Sequence, residues 1–273
     1  MSDPDVSIVI VNYNGSTFIE RSIRSALEQR VPAEVIVVDN GSTDGSLELL
    51  NALSGIRVVS SDRNLGFAGG ANLGARHARG AFLAFLNSDA IAAPDWLATL
   101  LPWMLGAKLD LVSSAVSCGG DLWFSGGLWL PALGAALHAQ RPLARCAWLS
   151  GCALIARRAA WEQLGGFDEG FFLYFEDVDL CLSARRQGLR LGLHPQPLVR
   201  HDTPGSSAKS LGFEKLIMGY RSKGRLIAKH VPGLLLPSTF AFQFSISPLT
   251  QGVRLDRLPS IWRSFIEGFR SAR

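Results

Sequence analysis

The stretch Val6-Ser7-Ile8-Val9-Ile10-Val11-Asn12-Tyr13-Asn14 is a nearly continuous, β-branched apolar run that stops abruptly at polar groups. A short run of this kind without alternation predicts a strand buried on both faces. Val35 to Val38 form a second such run, and the polar, helix-compatible segment from Thr17 to Arg30 lies between them, so the three predict a β-α-β unit. The pattern continues outward: Ser46 to Leu53 suits a helix, Ile56 to Ser60 a strand, Gly69 to Arg79 a helix, and Ala81 to Leu86 a fully buried strand. Such alternation implies an α/β fold with a parallel sheet covered by helices and with ligand groups at the carboxyl ends of the strands. Each of those ends is polar here, carrying Asn12, Tyr13, Asn14 and Gly15, then Asp39, Asn40, Gly41 and Ser42, then Asn87, Ser88 and Asp89.

Further on, Leu111 to Ala147 breaks into short apolar pieces interrupted by Gly119, Gly120, Gly126, Gly127 and Pro131, which predicts strands and loops without a fixed order. Leu149 to Ala156 reads as a strand, and Arg158 to Leu164 as a short helix that Gly165 and Gly166 terminate. After a turn around Asp168, Glu176 to Gln187 has helical spacing, with Glu176 and Asp177 at its N-terminus and Arg185 and Arg186 near the favourable C-terminal end. Val231 to Leu249 is uncharged and about long enough to span a bilayer, but Pro232, Pro237 and Pro248 argue against a transmembrane helix. Leu255, Leu258, Ile261, Trp262, Phe265, Ile266 and Phe269 then recur at helical spacing among arginines. A helix docked on the core is the preferred reading; the alternative is a membrane-surface helix with Trp262 and Phe265 in the headgroup region.

The chain has 273 residues, 48% hydrophobic and 18% charged, which predicts one globular α/β domain with a C-terminal extension. Its net charge of +4 is mild and not gathered into one long basic run, so nucleic acid is not expected as a partner. Cys118, Cys146, Cys152 and Cys181 form no CxxC pair, and no charged segment leading into a long apolar stretch opens the chain, which fits free thiols in a cytoplasmic setting.

Several segments carry chemistry, each with a plainer rival. Val37 to Ser46 is a strand running into an acidic, glycine-containing turn and a helix; Asp39 could accept from a base N–H or ribose hydroxyl, or merely satisfy backbone donors. Asn64 to Asn72 is glycine-rich, a composition that lets backbone N–H groups approach a phosphate or sugar, though it matches neither standard phosphate-loop fingerprint. Asn87-Ser88-Asp89 could place a carboxylate on Mg²⁺ or Mn²⁺ against a diphosphate, or be a turn. Phe171 to Asp179 sets Glu176, Asp177 and Asp179 beside aromatic residues at a helix start; capping explains Asp179, while Glu176 and Asp177 suggest a general base near an apolar pocket. His201 could be a metal ligand, a phosphate contact or a structural residue.

Taken in order, Val6 to Asn14, Val37 to Ser46, Asn64 to Asn72, Phe82 to Ala90, Ser150 to Arg157 and Gly165 to Arg186 resemble family 2 glycosyltransferases, and more narrowly their rhamnosyltransferase-like branch. The resemblance covers roughly the first three quarters of the chain and implies a GT-A fold, with a Rossmann-like nucleotide-binding half, a mixed central sheet and a helical C-terminal extension. It implies a catalytic domain over residues 1–204, the donor half about 1–110 and the acceptor half about 111–204, followed by the extension 205–273. It also implies that Asp39 contacts the donor's base, helped by Asn12, Tyr13, Asn14, Ser42, Asn64, Gly66, Phe67 and Asn72, with Asn87 beside the diphosphate. Asp89 takes the metal-binding position of the family's DxD motif, whose first acidic position is Asn87 here. His201 completes the metal shell, Asp177 is the general base, and Glu176 orients acceptor or base.

The implied activity is inverting transfer of a sugar, rhamnose from a dTDP donor being one candidate, to a glycan or lipid-linked glycan, with Mg²⁺ or Mn²⁺ as cofactor. A homodimer and peripheral contact with the inner face of the cell membrane through residues 231–273 are compatible with it. Two rivals are a nucleotide-sugar-binding regulatory module without turnover, favoured by Asn87, and a sugar nucleotidyltransferase, disfavoured because Val6 to Ser16 lacks a basic glycine-rich signature.

Overall fold

The computed structural model describes residues 5–118, 121–139, 143, 146–201, 212–251 and 253–272. The expected boundary between residues 204 and 205 lies outside them. The first half alternates strands and helices: β1 (Val6–Asn12), α1 (Ile19–Leu27), β2 (Ala33–Asp39), α2 (Ser46–Ala52), β3 (Arg57–Ser60), α3 (Gly66–His77) and β4 (Phe82–Asn87). β5 (Ala90–Ala92), α4 (Trp96–Gly106), β6 (Leu111–Cys118) and β7 (Asp121–Phe124) follow. Next come β8 (Gly126–Leu130), β9 (Ala135–His138), β10 (Trp148–Leu149), β11 (Ala153–Arg157) and α5 (Arg158–Leu164). The chain closes with α6 (Glu176–Arg186), β12 (Leu191–His201), α7 (Phe213–His230), α8 (Leu236–Thr250) and α9 (Leu258–Ser271).

The large sheet runs β3-β2-β1-β4-β11-β6-β12-β5, with β7 added on β6, and a small antiparallel sheet runs β10-β8-β9. β1 pairs in parallel with both β2 and β4, whereas β11 is antiparallel between β4 and β6, so the sheet is mixed as expected. Register aligns the functional ends: Asn12 lies opposite Asp39, and Val11 opposite Asn87. The unalternating strand sequences reflect burial on both faces. Ile8 and Ile10 pack with Ile19, Ile23 and Trp96 on one side, while Val9 and Phe85 pack with Ala71, Trp161 and Phe167 on the other.

Three expectations change. The glycine-rich segment is not a loop before a helix starting at Gly69, because α3 already begins at Gly66. Gly66 has φ +73°, and a side chain there would overlap the carbonyl of Phe172, so only glycine permits this approach. Helix α4, unread in the sequence, is apolar on nearly every side and contains Pro102, so it shows no amphipathic stripe. The uncharged segment after Val231 holds the 15-residue α8, whose buried face is polar: Thr239 Oγ1 donates to the Pro131 carbonyl at 2.9 Å and Gln243 Nε2 to the Leu133 carbonyl at 2.7 Å. Among the described residues, no helix is long and apolar enough to cross a membrane.

Helices α7, α8 and α9 share an apolar core of Tyr220, Ile227, Val231, Ile261 and Phe265. Phe265 is 2% exposed, so the docked reading of α9 holds and Phe265 is unavailable to a membrane surface. Among the described residues here, the most exposed large apolar side chains are Leu234 and Leu255, 91% and 73% exposed, ahead of Ile246 and Ile266.

Candidate functional site

At the ends of β1 and β2, a buried polar network joins three of the expected donor contacts. Asn12 Nδ2 donates to Asp39 Oδ1 at 3.3 Å and to Ser42 Oγ at 3.2 Å, while the Ser42 N–H donates to Asp39 Oδ2 at 3.2 Å. Asp39 is 2% exposed, and Asn12 Oδ1 is buried with no partner among the described residues. Asn14, in the left-handed region at φ 53°, donates its N–H to Ser42 Oγ and accepts from the Thr43 N–H, which locks the two turns together. Tyr13 is half-exposed beside them.

The start of α3 departs from the expected phosphate cradle. The Leu65 N–H donates to Asn40 Oδ1, the Gly66 N–H to Asn64 Oδ1, and the Phe67 N–H to the Phe172 carbonyl, so these donors are already used inside the fold. Asn72 is likewise occupied: its amide donates to the Phe167 carbonyl at 2.8 Å and to Glu169 Oε1 at 3.0 Å, and accepts from the Phe167 N–H at 2.9 Å. It clamps α3 to the segment before α6. Asn64 and Asn72 therefore have structural tasks that the sequence pattern does not distinguish from binding ones.

Four segments meet beyond the end of β4. The Asn87 N–H donates to the Cys152 carbonyl, and Ser22 Oγ donates to the Asn87 carbonyl, which fixes the Asn87-Ser88-Asp89 turn. Pairing of β12 with β5 sets His201 opposite Ala90, and His201 Nε2 lies 3.1 Å from Asp89 Oδ1. Hydrogen bonding to Asp89, and then to the Cys152 thiol, pushes the His201 imidazole up to about 11. One residue before Cys152, the Gly151 N–H donates to Asp177 Oδ2 at 2.9 Å. Phe67 packs against the same point, with its ring 3.4 Å from where a Gly151 side chain would begin. The turn Ser150-Gly151-Cys152 thus joins the Asp89–His201 pair to the carboxylates of α6. The sequence offered Ser150 to Arg157 only as part of a family pattern and gave no sign of this bridging role.

Glu176 and Asp177 open α6 immediately after Tyr174 and Phe175, two consecutive non-glycine residues at φ 66° and 70°. Left-handed backbone at such residues costs on the order of 1–3 kcal/mol each and persists only where the surroundings enforce it. Burial, and then the charge of Asp177, push the Glu176 carboxyl up to about 8, and its Oε2 is buried with no hydrogen-bond partner among the described residues. Burial also raises Asp177, opposed by N–H bonds from Gly151 and Val178. Of this pair Asp177 is the better stabilised as an anion, because two N–H groups donate to it while Glu176 Oε2 has no donor among the described residues.

Asp179 is no simple helix cap: it lies 2.6 Å from His230 Nε2 and 2.8 Å from Lys229 Nζ. Asp168 binds Arg225 Nη2 at 2.9 Å and the same Lys229 at 2.7 Å. These partners on α7 were missed in the sequence, where Arg225 and Lys229 form a basic i, i+4 pair in a segment that was not read as an element.

Among the described residues, no group of three or more His, Cys, Asp or Glu side chains could hold a metal ion. Asp89 still fits a divalent cation at a diphosphate, because Mg²⁺ is held by one or two carboxylates beside phosphate oxygens, and His201 would join it by giving up the proton it shares with Asp89.

The sequence pattern of glycosyl transferase family 2 matches residues 7–165. Among curated relatives, the low-salt glycan biosynthesis hexosyltransferase Agl10 of Haloferax volcanii is 29% identical over 247 residues, covering 80% of this chain and 76% of the relative. The N-acetylglucosaminyl-diphospho-decaprenol L-rhamnosyltransferase of Mycobacterium tuberculosis is 29% identical over 216 residues, covering 63% and 68%. Among solved structures, the mannosyltransferase PcManGT from Pyrobaculum calidifontis, in complex with GDP-Man and Mn²⁺, superposes with a TM-score of 0.63 at 21% identity, covering 97% of this chain and 74% of that one. The shared architecture is the GT-A fold, with a helical C-terminal region. With its strand ends, acidic helix start and family pattern in agreement, this chain is a glycosyltransferase and belongs to glycosyl transferase family 2.

Proposed function

We propose that the chain moves a hexose from a nucleotide-diphosphate sugar to a hydroxyl of a glycan or lipid-linked glycan in one inverting displacement. What carries this reading is the Ser150-Gly151-Cys152 turn, which links Asp177 on one side to the Asp89–His201 pair on the other. Asp177 takes the acceptor's proton as the new C–O bond forms and the bond to the diphosphate breaks. Glu176 orients the acceptor side. Asp39, Asn12 and Ser42 hold the nucleoside, with Tyr13, Asn14, Gly66, Phe67 and Asn87 around the donor, so that residues 1–110 serve the donor and 111–204 the acceptor. Asp89 and His201 would hold Mg²⁺ or Mn²⁺, which supplies positive charge to the leaving diphosphate. A dTDP-linked rhamnose is the first donor to test, since one relative is an L-rhamnosyltransferase.

Equilibrium binding and hydrolysis of UDP-, GDP- and dTDP-sugars, with and without Mn²⁺, test this. One donor should bind more tightly with metal. Asp89→Ala and chelation should each weaken it about tenfold or more, and together no further, because both remove the same contact to the diphosphate. Full activity after chelation would remove the metal from the reading, and binding without any turnover would favour the regulatory module.

A lipid-linked acceptor also implies contact with a membrane surface through residues 231–273, and the exposed Leu234 and Leu255 are the side chains suited to it. Leu234→Glu with Leu255→Glu should abolish flotation with anionic vesicles at low salt without lowering the melting temperature. Wild-type protein that ignores such vesicles sinks the membrane contact.

A further inference from the structure

We propose that α7 clamps the turn carrying Glu176 and Asp177 into its working shape, with Lys229 as the principal positioning residue; this rests on Asp177 acting as the base. A single ammonium group bonds both feet of the turn, with Lys229 Nζ 2.7 Å from Asp168 Oδ2 and 2.8 Å from Asp179 Oδ2. One more group of α7 holds the part between the feet: Ser222 Oγ donates to the Leu173 carbonyl at 2.8 Å. The buried Lys223 packs nearby, its Nζ bonded to Ser247 Oγ and 5.9 Å from the centre of the Phe175 ring. Arg225 reinforces the first foot through both oxygens of Asp168, and His230 reinforces the second through Asp179.

The spacing of these anchors fits one purpose. Ser222, Arg225 and Lys229 fall on one face of α7, with His230 on the adjoining stripe. All of them act on residues that flank the two carboxylates. Between the feet stand Tyr174 and Phe175, both in the left-handed region. No glycine favours that conformation locally, so surrounding contacts must impose it. The contacts from α7 are spread along the whole turn and supply that constraint.

If the clamp loosens, Asp177 shifts relative to the acceptor while the donor network at Asn12, Asp39 and Ser42, on other elements, stays in place. A displacement of about 1 Å at a reacting group costs on the order of a hundredfold in rate. The test compares Lys229→Met, Lys229→Arg and Ser222→Ala for kcat, donor Kd and melting temperature. Lys229→Met should lower kcat about ten- to a hundredfold with donor Kd changed less than about twofold. Lys229→Arg should recover kcat to within about threefold, because a guanidinium can span both carboxylates. Should Lys229→Met fail to fold, Ser222→Ala decides, with an expected loss in kcat of about three- to tenfold at unchanged donor affinity. A folded Lys229→Met or Ser222→Ala enzyme with normal kcat overturns the clamp, as does a parallel loss of kcat and donor affinity. If Asp177→Asn keeps transfer while Lys229→Met loses kcat, the base assignment falls and the clamp stands. The opposite pair of results removes the clamp alone.

Discussion

Asp177→Asn is expected to lower sugar transfer by roughly two to four orders of magnitude, the usual scale for loss of a general base, while the donor still binds. The amide is nearly isosteric and keeps one oxygen to accept from the Gly151 or Val178 N–H, so the turn retains its shape. What disappears is the group that takes a proton. Burial already raises Asp177, which moves it closer to the operating pH and improves it as a base. Donor Kd by calorimetry and single-turnover transfer separate the two steps. Near-normal transfer at unchanged donor affinity would take Asp177 out of the reaction.

The second large effect is on folding. Helices α7 and α9 cross in backbone contact at two glycines: a side chain at Gly268 would overlap the Arg221 carbonyl, and one at Gly224 the Phe265 carbonyl. Gly268→Val must push the helices apart and open the core around Ile227, Ile261 and Phe265, all 2% exposed or less. Overpacking a closed contact usually costs about 1–3 kcal/mol, and here uncovering apolar surface adds to it, so about 3 kcal/mol or more is expected. For a chain of this size that corresponds to a fall of roughly 6–12 °C in melting temperature. Gly268→Ala should fall in the same direction by less. A melting temperature for Gly268→Val within about 1 °C of wild type would show that the helices do not meet at this point.

The parallel half of the fold was legible because β1, β2 and β4 are buried on both faces, so their apolar runs and polar ends carry both structure and register. The placing of Asp89 beyond a strand end could be read for the same reason, and that of Glu176 and Asp177 from the helical spacing of α6. Elsewhere local pattern and tertiary use diverge. In α3, glycines that suggest a phosphate loop serve close packing, and Asn72 serves as a clamp. In α4, apolar residues on all sides hide the helical period. In α8, the polar stripe of Thr239, Gln243 and Ser247 is the buried one, which inverts the usual inference from hydropathy. The stripe of α9 correctly marked Ile261 and Phe265 as inward, yet nothing in it names α7 as the partner. The ion pairs of Asp168 and Asp179 join residues about 50 or more positions apart, and sequence spacing holds no information at that range.

The way β12 enters the sheet ties two distant parts of the chain together. It pairs with β6 and β5 and so delivers His201 to Asp89, from more than a hundred residues away in sequence. Closing so long a loop carries an entropic cost that only the finished sheet repays, and contacts of this range slow folding. The Asn12–Asp39 contact, by contrast, joins two strands of one β1-α1-β2 unit and closes a much shorter loop. Loss of β12 would therefore leave the Asn12–Asp39 contact in place and take His201 away from Asp89.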